Sequence, residues 1–274
     1  MTPFVHLHVH TQYSLLDGQS GVPNLVDKAL ADGMAGIAIT DHGNMFGVKE
    51  IYNYVNGGCL KGYKKKLEKA EKSGDTAKAE KIKGWIDRIK NKDFRLIIGC
   101  EMYVANGDLH ERSDKRDTGR HLVVLAKNET GYKNLIKLVS KAWTEGFYSH
   151  PRTDKKELAE HREGLIVASA CLGGEIPKLI VHGNIEQAEQ AVQWWKEIFG
   201  DDYYIELQRH RTDKPGGNTS TYPIQERVNP ELIRIARKFG IKLIATNDVH
   251  FVNEEDAEAH DLSLIHISEP TRPI

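Results

Sequence analysis

The 274-residue sequence predicts an α/β fold, a closed or nearly closed barrel in which seven strands alternate with helices. Three observations predict it. Short β-rich runs recur along the whole chain, segments of helical spacing separate most of them, and the runs are continuously apolar, as in strands covered by helices on both faces. The length suits a single barrel, for which about 250 residues are typical.

The first run, 4–10, alternates Val5, Leu7 and Val9 with His6, His8 and His10, and Leu25 to Ala31 follows with helical spacing. Gly36 to Thr40 is the second run. An insertion at about 57–93 then breaks the rhythm: between Lys61 and Lys92 eleven lysines and one arginine face five acids, a local balance of +7. A thin apolar stripe (Leu67, Ile82, Trp85, Ile86, Ile89) and the turn Ser73-Gly74-Asp75 predict a helical hairpin there, either a basic arm for nucleic acid or a solvated helix pair. Leu96 to Ile98 and Leu122 to Leu125 are the next runs, and Tyr132 to Ala142 reads as a helix through Leu135, Ile136, Leu138 and Val139. Leu165 to Ala168, a helix over Ile185 to Phe199, and Tyr203 to Leu207 continue the pattern. Asn229-Pro230 predicts the start of the helix before the last run, Lys242 to Thr246, because proline suits the first helical position. Residues 110–120 and 211–223 read as surface loops.

Composition removes some function classes. A formal charge of −1 excludes a chain-wide basic surface, so any nucleic-acid contact needs a local patch. Three cysteines, Cys59, Cys100 and Cys171, with no C-x-x-C pair, argue against a disulfide scaffold and for a reducing, cytoplasmic compartment. The amino terminus lacks the pattern of an export signal, and no apolar stretch approaches the roughly 20 residues of a membrane span.

In barrels and open α/β sheets the active site lies at the carboxyl ends of the strands. Here those ends carry His8 and His10, Asp41-His42, Glu101, Cys171, His210, and Asp248 with His250: six of the seven runs end in metal-type side chains. His8 and His10, two apart on a strand, point the same way at roughly 6–7 Å. Imidazoles mixed with carboxylates and one thiol favour Zn²⁺, Mn²⁺ or Fe²⁺ over an all-oxygen Ca²⁺ cage. Eight or nine such ligands exceed the needs of one ion, so two or three divalent ions are expected, the usual device for hydrolysing phosphate esters.

His8-Val9-His10-Thr11 with Ser14-Leu15-Leu16-Asp17-Gly18, Thr40-Asp41-His42-Gly43-Asn44, Gly99-Cys100-Glu101, His121-Leu122, Ala170-Cys171-Leu172-Gly173-Gly174-Glu175 and Asn247-Asp248-Val249-His250-Phe251 together resemble the PHP (polymerase and histidinol phosphatase) domain. Within that family they are most similar to the amino-terminal PHP domains of bacterial replicative DNA polymerases, from residue 4 to about 261. The resemblance implies a distorted seven-stranded (β/α) barrel with a trinuclear metal centre held by His8, His10, Asp17, His42, Glu101, His121, Cys171, Asp248 and His250. It also implies phosphodiester hydrolysis, foremost 3′→5′ exonuclease proofreading. The partners it implies are the primer 3′ end, the rest of a polymerase chain and other replisome subunits. Polymerisation would belong to a separate palm domain, so residues 1–274 alone are not expected to extend a primer. The alternatives are a metal-binding scaffold for the polymerase and a stand-alone phosphatase of the histidinol-phosphate type.

Each residue also has a plainer reading. Asp17 could form the turn before Gly18, Glu101 could pair with a loop cation, and Cys171 could be a small core residue. His121 begins its apolar run instead of ending it, so only the resemblance selects it. Asp41 reads as a partner that orients an imidazole. Arg152 and His210 are candidate phosphate contacts, and His6, His110, His150, His161, His182 and His260 read as ordinary surface or loop histidines. From Ser263 to Ile274 the resemblance stops; that tail is similar to translated sequencing-adapter sequence, is expected to be non-native, and neither it nor His266 is assigned a function.

Overall fold

The structure is a computed structural model that describes residues 4–114, 117–213 and 219–263. It divides into two compact units: Met1–Ile39, Phe46–Ile97 and Val249–Ile274 make the first, Thr40–Met45 and Ile98–Asp248 the second.

In the first unit, helix α1 (Val22–Ala31) starts after Gly21 with proline in its first turn and buries Val22, Leu25, Val26, Ala29 and Leu30, one apolar stripe at helical spacing. Strand β1 (Gly36–Ile39) is buried throughout. The first expected strand is not regular. Residues 5–10 bend at His8 and are held from both sides: Ala38 N–H donates to His6 O (2.9 Å), His10 N–H to Val249 O (2.7 Å) and Val249 N–H to His8 O (3.1 Å), which makes one parallel bridge at Val9–Val249. The backbone turns away directly afterwards, where Ser14 N–H meets Thr11 O, so no ladder develops.

The inserted segment is a helix pair. After α2 (Val48–Asn53) and a π-type turn in which Gly57 takes φ +115°, helices α3 (Leu60–Lys72) and α4 (Thr76–Lys90) run on either side of Ser73–Asp75. Asp75 caps α4 through the Lys78 N–H (3.0 Å). Ala79, Ile82, Ile86 and Ile89 are buried, the Tyr63 and Trp85 rings lie 5.7 Å apart, and Lys61, Lys64, Lys65 and Lys69 are exposed. Asp27 of α1 ties the insertion down. Its Oδ1 accepts from Tyr54 Oη (2.9 Å) and Tyr63 Oη (2.6 Å), and its Oδ2 from Lys66 Nζ (2.7 Å).

Strands β2 (Arg95–Val104), β3 (Arg120–Ala126), β4 (Phe147–Tyr148), β5 (His150–Thr153), β6 (Leu165–Ala168), β7 (Tyr203–Leu207) and β8 (Lys242–Ala245) follow in the order β4-β5-β2-β3-β6-β7-β8; all but the first three residues of β2 belong to the second unit. The α/β class agrees with the sequence, but the sheet is mixed: β3 runs antiparallel to both β2 and β6, whereas β2–β5, β6–β7 and β7–β8 are parallel. Continuous apolar runs report burial on both faces and carry no strand direction. The short pair β4–β5, turned at Ser149 with φ +60°, has no apolar run to announce it.

Helices α5 (Glu129–Thr144), α6 (Lys155–Glu160), α7 (Glu175–Val181) and α8 (Ile185–Phe199) sit between the strands; Asn128 and Asp154 cap the first two through the N–H groups of Gly131 (2.9 Å) and Glu157 (2.8 Å). Pro230 does not open a helix. Helix α9 (Thr221–Phe239) runs through it, with Val228, Leu232, Ile235 and Ala236 buried. An interior proline costs about 3 kcal/mol, whereas burying each aliphatic side chain returns roughly 1.5–3 kcal/mol, so the stripe outweighs the break. Asn229, expected as a cap, donates instead to Gln208 O (2.9 Å). Of the loops, 115–116 and 214–218 lie outside the described residues, as does the tail from 264 onward. The core of this unit joins Leu122, Val124, Leu135, Leu138, Val167 and Ile205 to Trp195, which stacks on Tyr203 (5.9 Å). No described helix is long and apolar enough to cross a membrane.

Candidate metal centre

In the first unit four expected ligands gather. His8 and His10 are completely buried, with ring centroids 5.3 Å apart. The His10 ring stacks on His250 (4.2 Å, 21°), and its Nδ1 lies 2.9 Å from Ser14 Oγ. His250 Nε2 is 3.7 Å from Asp17 Oδ2. Asp17 is therefore both in a turn and beside an imidazole: Gly18 N–H closes the turn on Ser14 O (2.7 Å), and Gln19 N–H donates to His250 O (2.8 Å). His260, read as ordinary, places its ring 5.2 Å from His250.

The second unit builds its group around Glu101 on β2, which is only 1% exposed. Glu101 Oε2 meets His42 Nδ1 at 2.5 Å and Oε1 meets His121 Nδ1 at 2.9 Å. Cys171 Sγ lies 3.5 Å from His121 Nδ1 and 3.9 Å from Glu101 Oε1, and one ligand atom from each of Glu101, His121 and Cys171 fits within 4.8 Å of the others. Strand direction explains His121. Because β3 is antiparallel to β2, the start of β3 arrives beside the end of β2, with His121 paired to Tyr103 and Val123 to Glu101. The amino end of one strand thus lies beside Glu101 at the end of another.

Local backbone holds these groups in place. Gly43 N–H donates to Glu101 O (2.8 Å) and Asn44 Nδ2 to His42 O (2.9 Å), fixing the turn that carries His42. A Cβ on Gly173 would sit 2.8 Å from the His121 ring, so the Cys171-Leu172-Gly173 loop needs glycine for close approach. Ala170 (φ +61°) and Asp248 (φ +50°) occupy the left-handed region without being glycine, strain that collects at functional sites. Ala170 N–H is held by Glu206 Oε1 (3.0 Å).

Electrostatics separates the two acidic groups. Burial alone would raise Glu101, but the neighbouring His121 and His42 hold its carboxyl well below the usual range. The Cys171 thiol is pushed far up by burial and by the charges of Asp248 and Glu101, and a carboxylate oxygen of Asp248 lies within 4.8 Å of one of Glu101. The donor set suits a divalent cation: burial disfavours any bare charge, but the carboxylates of Asp248 and Glu101, which also raise the thiol, attract positive charge, and a bound ion would favour release of the thiol proton.

Two expected phosphate contacts receive no support. Arg152 is 1% exposed, and its guanidinium donates to the carbonyls of Glu111 (2.6 Å) and Asp117 (3.0 Å) and meets Asp117 Oδ2 at 3.3 Å, so it pins the loop before β3. His210 uses both ring nitrogens: Gln225 Nε2 donates to Nδ1 (3.1 Å), leaving Nε2–H for Asn247 O (2.8 Å). Asp41 is buried, and its carbonyl accepts from Glu101 N–H (3.1 Å) and the Cys100 thiol (3.4 Å). Sequence reasoning missed Tyr103, whose ring packs against His42 (6.1 Å), His121 (5.2 Å) and His150 (4.4 Å). Its place two residues after Glu101 on one strand face was the available signal.

The chain is 40% identical over 261 residues to the DNA polymerase III subunit alpha of Borreliella burgdorferi, covering 94% of this chain and 19% of that protein. It is 41% identical over 264 residues to the protein of the same name in Treponema pallidum, covering 95% and 19%. The chain thus spans about a fifth of the length of these curated relatives. Among solved structures it overlays on an amidohydrolase from Chromobacterium violaceum with TM-score 0.48 and 12% identity, covering 92% of this chain and 89% of that one, too distant a likeness to assign chemistry. Residues 6–210 match the PHP domain, and the chain belongs to the PHP domain family.

Proposed function

We propose that this chain is the amino-terminal PHP part of a DNA polymerase III alpha subunit and that it hydrolyses phosphodiester bonds, removing nucleotides from a primer 3′ end in the 3′→5′ direction. The observation that carries the reading is the Glu101 group: a buried carboxylate held between two imidazoles, with a thiol within ligand distance. His42, Glu101, His121, Cys171 and Asp248 in one unit, and His8, His10, Asp17 and His250 in the other, are the proposed ligands of two or three divalent ions, Zn²⁺, Mn²⁺ or Fe²⁺. Such ions supply a more acidic water and stabilise a leaving oxygen. The protein supplies geometry and charge. Glu101 holds the His42 and His121 rings in fixed orientations, Ser14 does the same for His10, and Gly173 lets the Cys171 loop close on His121.

The setting follows from the same reading. The rest of the polymerase chain and the replisome subunits are the proposed partners, and the cytoplasm the proposed location. Residues 1–274 by themselves are proposed not to extend a primer.

The test is metal analysis of the purified chain together with digestion of a 3′-mismatched primer, wild type beside His8→Ala and Asp248→Ala. Stepwise loss of 3′ nucleotides by the wild type alone is expected. Full metal content without digestion would instead make the domain a scaffold, and digestion surviving both substitutions would remove the evidence for hydrolysis here.

A further inference from the structure

Two large aromatic rings in the second unit face solvent. Trp143, near the end of α5, is 40% exposed and Phe147 in β4 is 47% exposed; their rings stack at 5.7 Å and 28°. The indole is not loose, because Trp143 Nε1–H donates to Gly43 O at 2.8 Å. Gly43 directly follows His42, and its own N–H bonds Glu101 O. Consecutive Cα atoms are about 3.8 Å apart, so the indole edge is fixed one residue from a proposed ligand. Gly43 itself cannot shift readily, since its φ is +60° and an added Cβ would meet Pro151 Cγ at 2.6 Å.

We infer that Trp143 and Phe147 form a stacking platform for an unpaired base of single-stranded nucleic acid, next to the His42–Glu101 pair. The size of the patch selects this occupant. The patch is two partly exposed rings, with the polar residues Ser140, Thr144, Glu145 and Ser149 exposed close to them in sequence, an area that suits a planar base better than an apolar protein surface. A pinned ring is also preorganised, so stacking costs little additional order. One cation is held close by: exposed Arg112 is anchored to the carbonyls of His110 and Glu145 (2.9 Å each), the latter two residues from each ring in sequence, where the guanidinium can meet a phosphate and offset the exposed carboxylates of Glu111 and Glu145. Platforms of this type accept any base because every base has a π face. The inference deepens the hydrolytic reading above and rests on it for the role of the site: a mismatched 3′ end, which unpairs and unstacks at lower cost, supplies the free base that a paired end withholds.

The experiment measures binding separately from cleavage. Fluorescence anisotropy of a labelled thymidine octamer, with a chelator present, compares wild type, Trp143→Ala, Trp143→Phe and Phe147→Leu, on the normal strand and on one with every base removed. Trp143→Ala should weaken binding of the normal strand about tenfold. Trp143→Phe should retain most of the affinity but lose the quenching of tryptophan emission that stacking produces. On the base-free strand wild type and Trp143→Ala should bind alike. Unchanged binding by a folded Trp143→Ala, or an equal loss on both strands, would overturn the platform. If the base-dependent loss is found while the metal-loaded wild type cuts no DNA, the platform stands and the hydrolytic reading falls; cleavage without any base dependence gives the reverse.

Discussion

Asp27 and Glu101 each draw three side chains from distant parts of the sequence onto one carboxylate, and the company they keep is different. Asp27 receives two tyrosine hydroxyls and an ammonium, groups that bring protons and offer a metal ion little. Glu101 receives two imidazoles and lies near a thiol, groups that carry a proton or a lone pair according to what is bound. Geometry alone would make both of them acid hubs. The chemistry of the neighbours separates an anchor for the inserted hairpin from a candidate cation site, and burial sharpens the contrast: the Glu101 side chain is 1% exposed and that of Asp27 19%.

Three experiments test that division, starting with the largest expected effect. Glu101→Gln should lower affinity for divalent metal by at least roughly 100-fold, the upper end of what even an outer partner of a ligand costs. Equilibrium dialysis measures it, and an unchanged affinity would put Glu101 in the same class as Asp27. Asp27→Asn should leave metal content intact while removing about 1.5–3 kcal/mol of stability, as for hydrogen bonds to a charged group. Denaturant melts check the second effect, and any fall in metal content would dissolve the comparison. The smallest effect is alkaline. Burial, then the bonds to Asp27, raise the Tyr54 and Tyr63 hydroxyls above their usual 10.0. Above about pH 10 an unfolded chain loses those protons while the folded chain keeps them, so the unfolded state binds fewer and stability falls as pH rises. The contribution is complete below pH 10 and is lost above it. Tyr63→Phe should flatten that alkaline slope in melts taken across pH 9–11, and a slope equal to that of the wild type would show that the tyrosines do not carry it.

Candidate ligands were easier to pick from the sequence than strand direction was. Ligand chemistry is a property of residue type, so His8, His10, His42, Glu101 and His250 could be chosen as soon as strand ends were placed. His121 could not, because its position at the edge depends on β3 running backwards, and direction leaves no trace in an apolar run. The partners of Arg152 were hidden for a related reason. Arginine suits phosphate, but here the backbone carbonyls of a folded loop take up the guanidinium. Pro230 misled because a local rule about helix starts met a buried stripe worth more than the break it predicts. The Asp27 anchor was out of reach, since its partners stand 27, 36 and 39 residues away and nothing local marks them as neighbours.

Sequence by itself determined the α/β class, the helical hairpin and the set of metal-competent side chains, because burial periodicity and ligand type are written residue by residue. Tertiary structure decided strand direction, which acid is an anchor and which a candidate ligand, and where Trp143 and Arg152 spend their polar atoms. Those outcomes depend on which distant groups meet when apolar surfaces pack and buried donors must find acceptors, and only the folded chain brings those groups together.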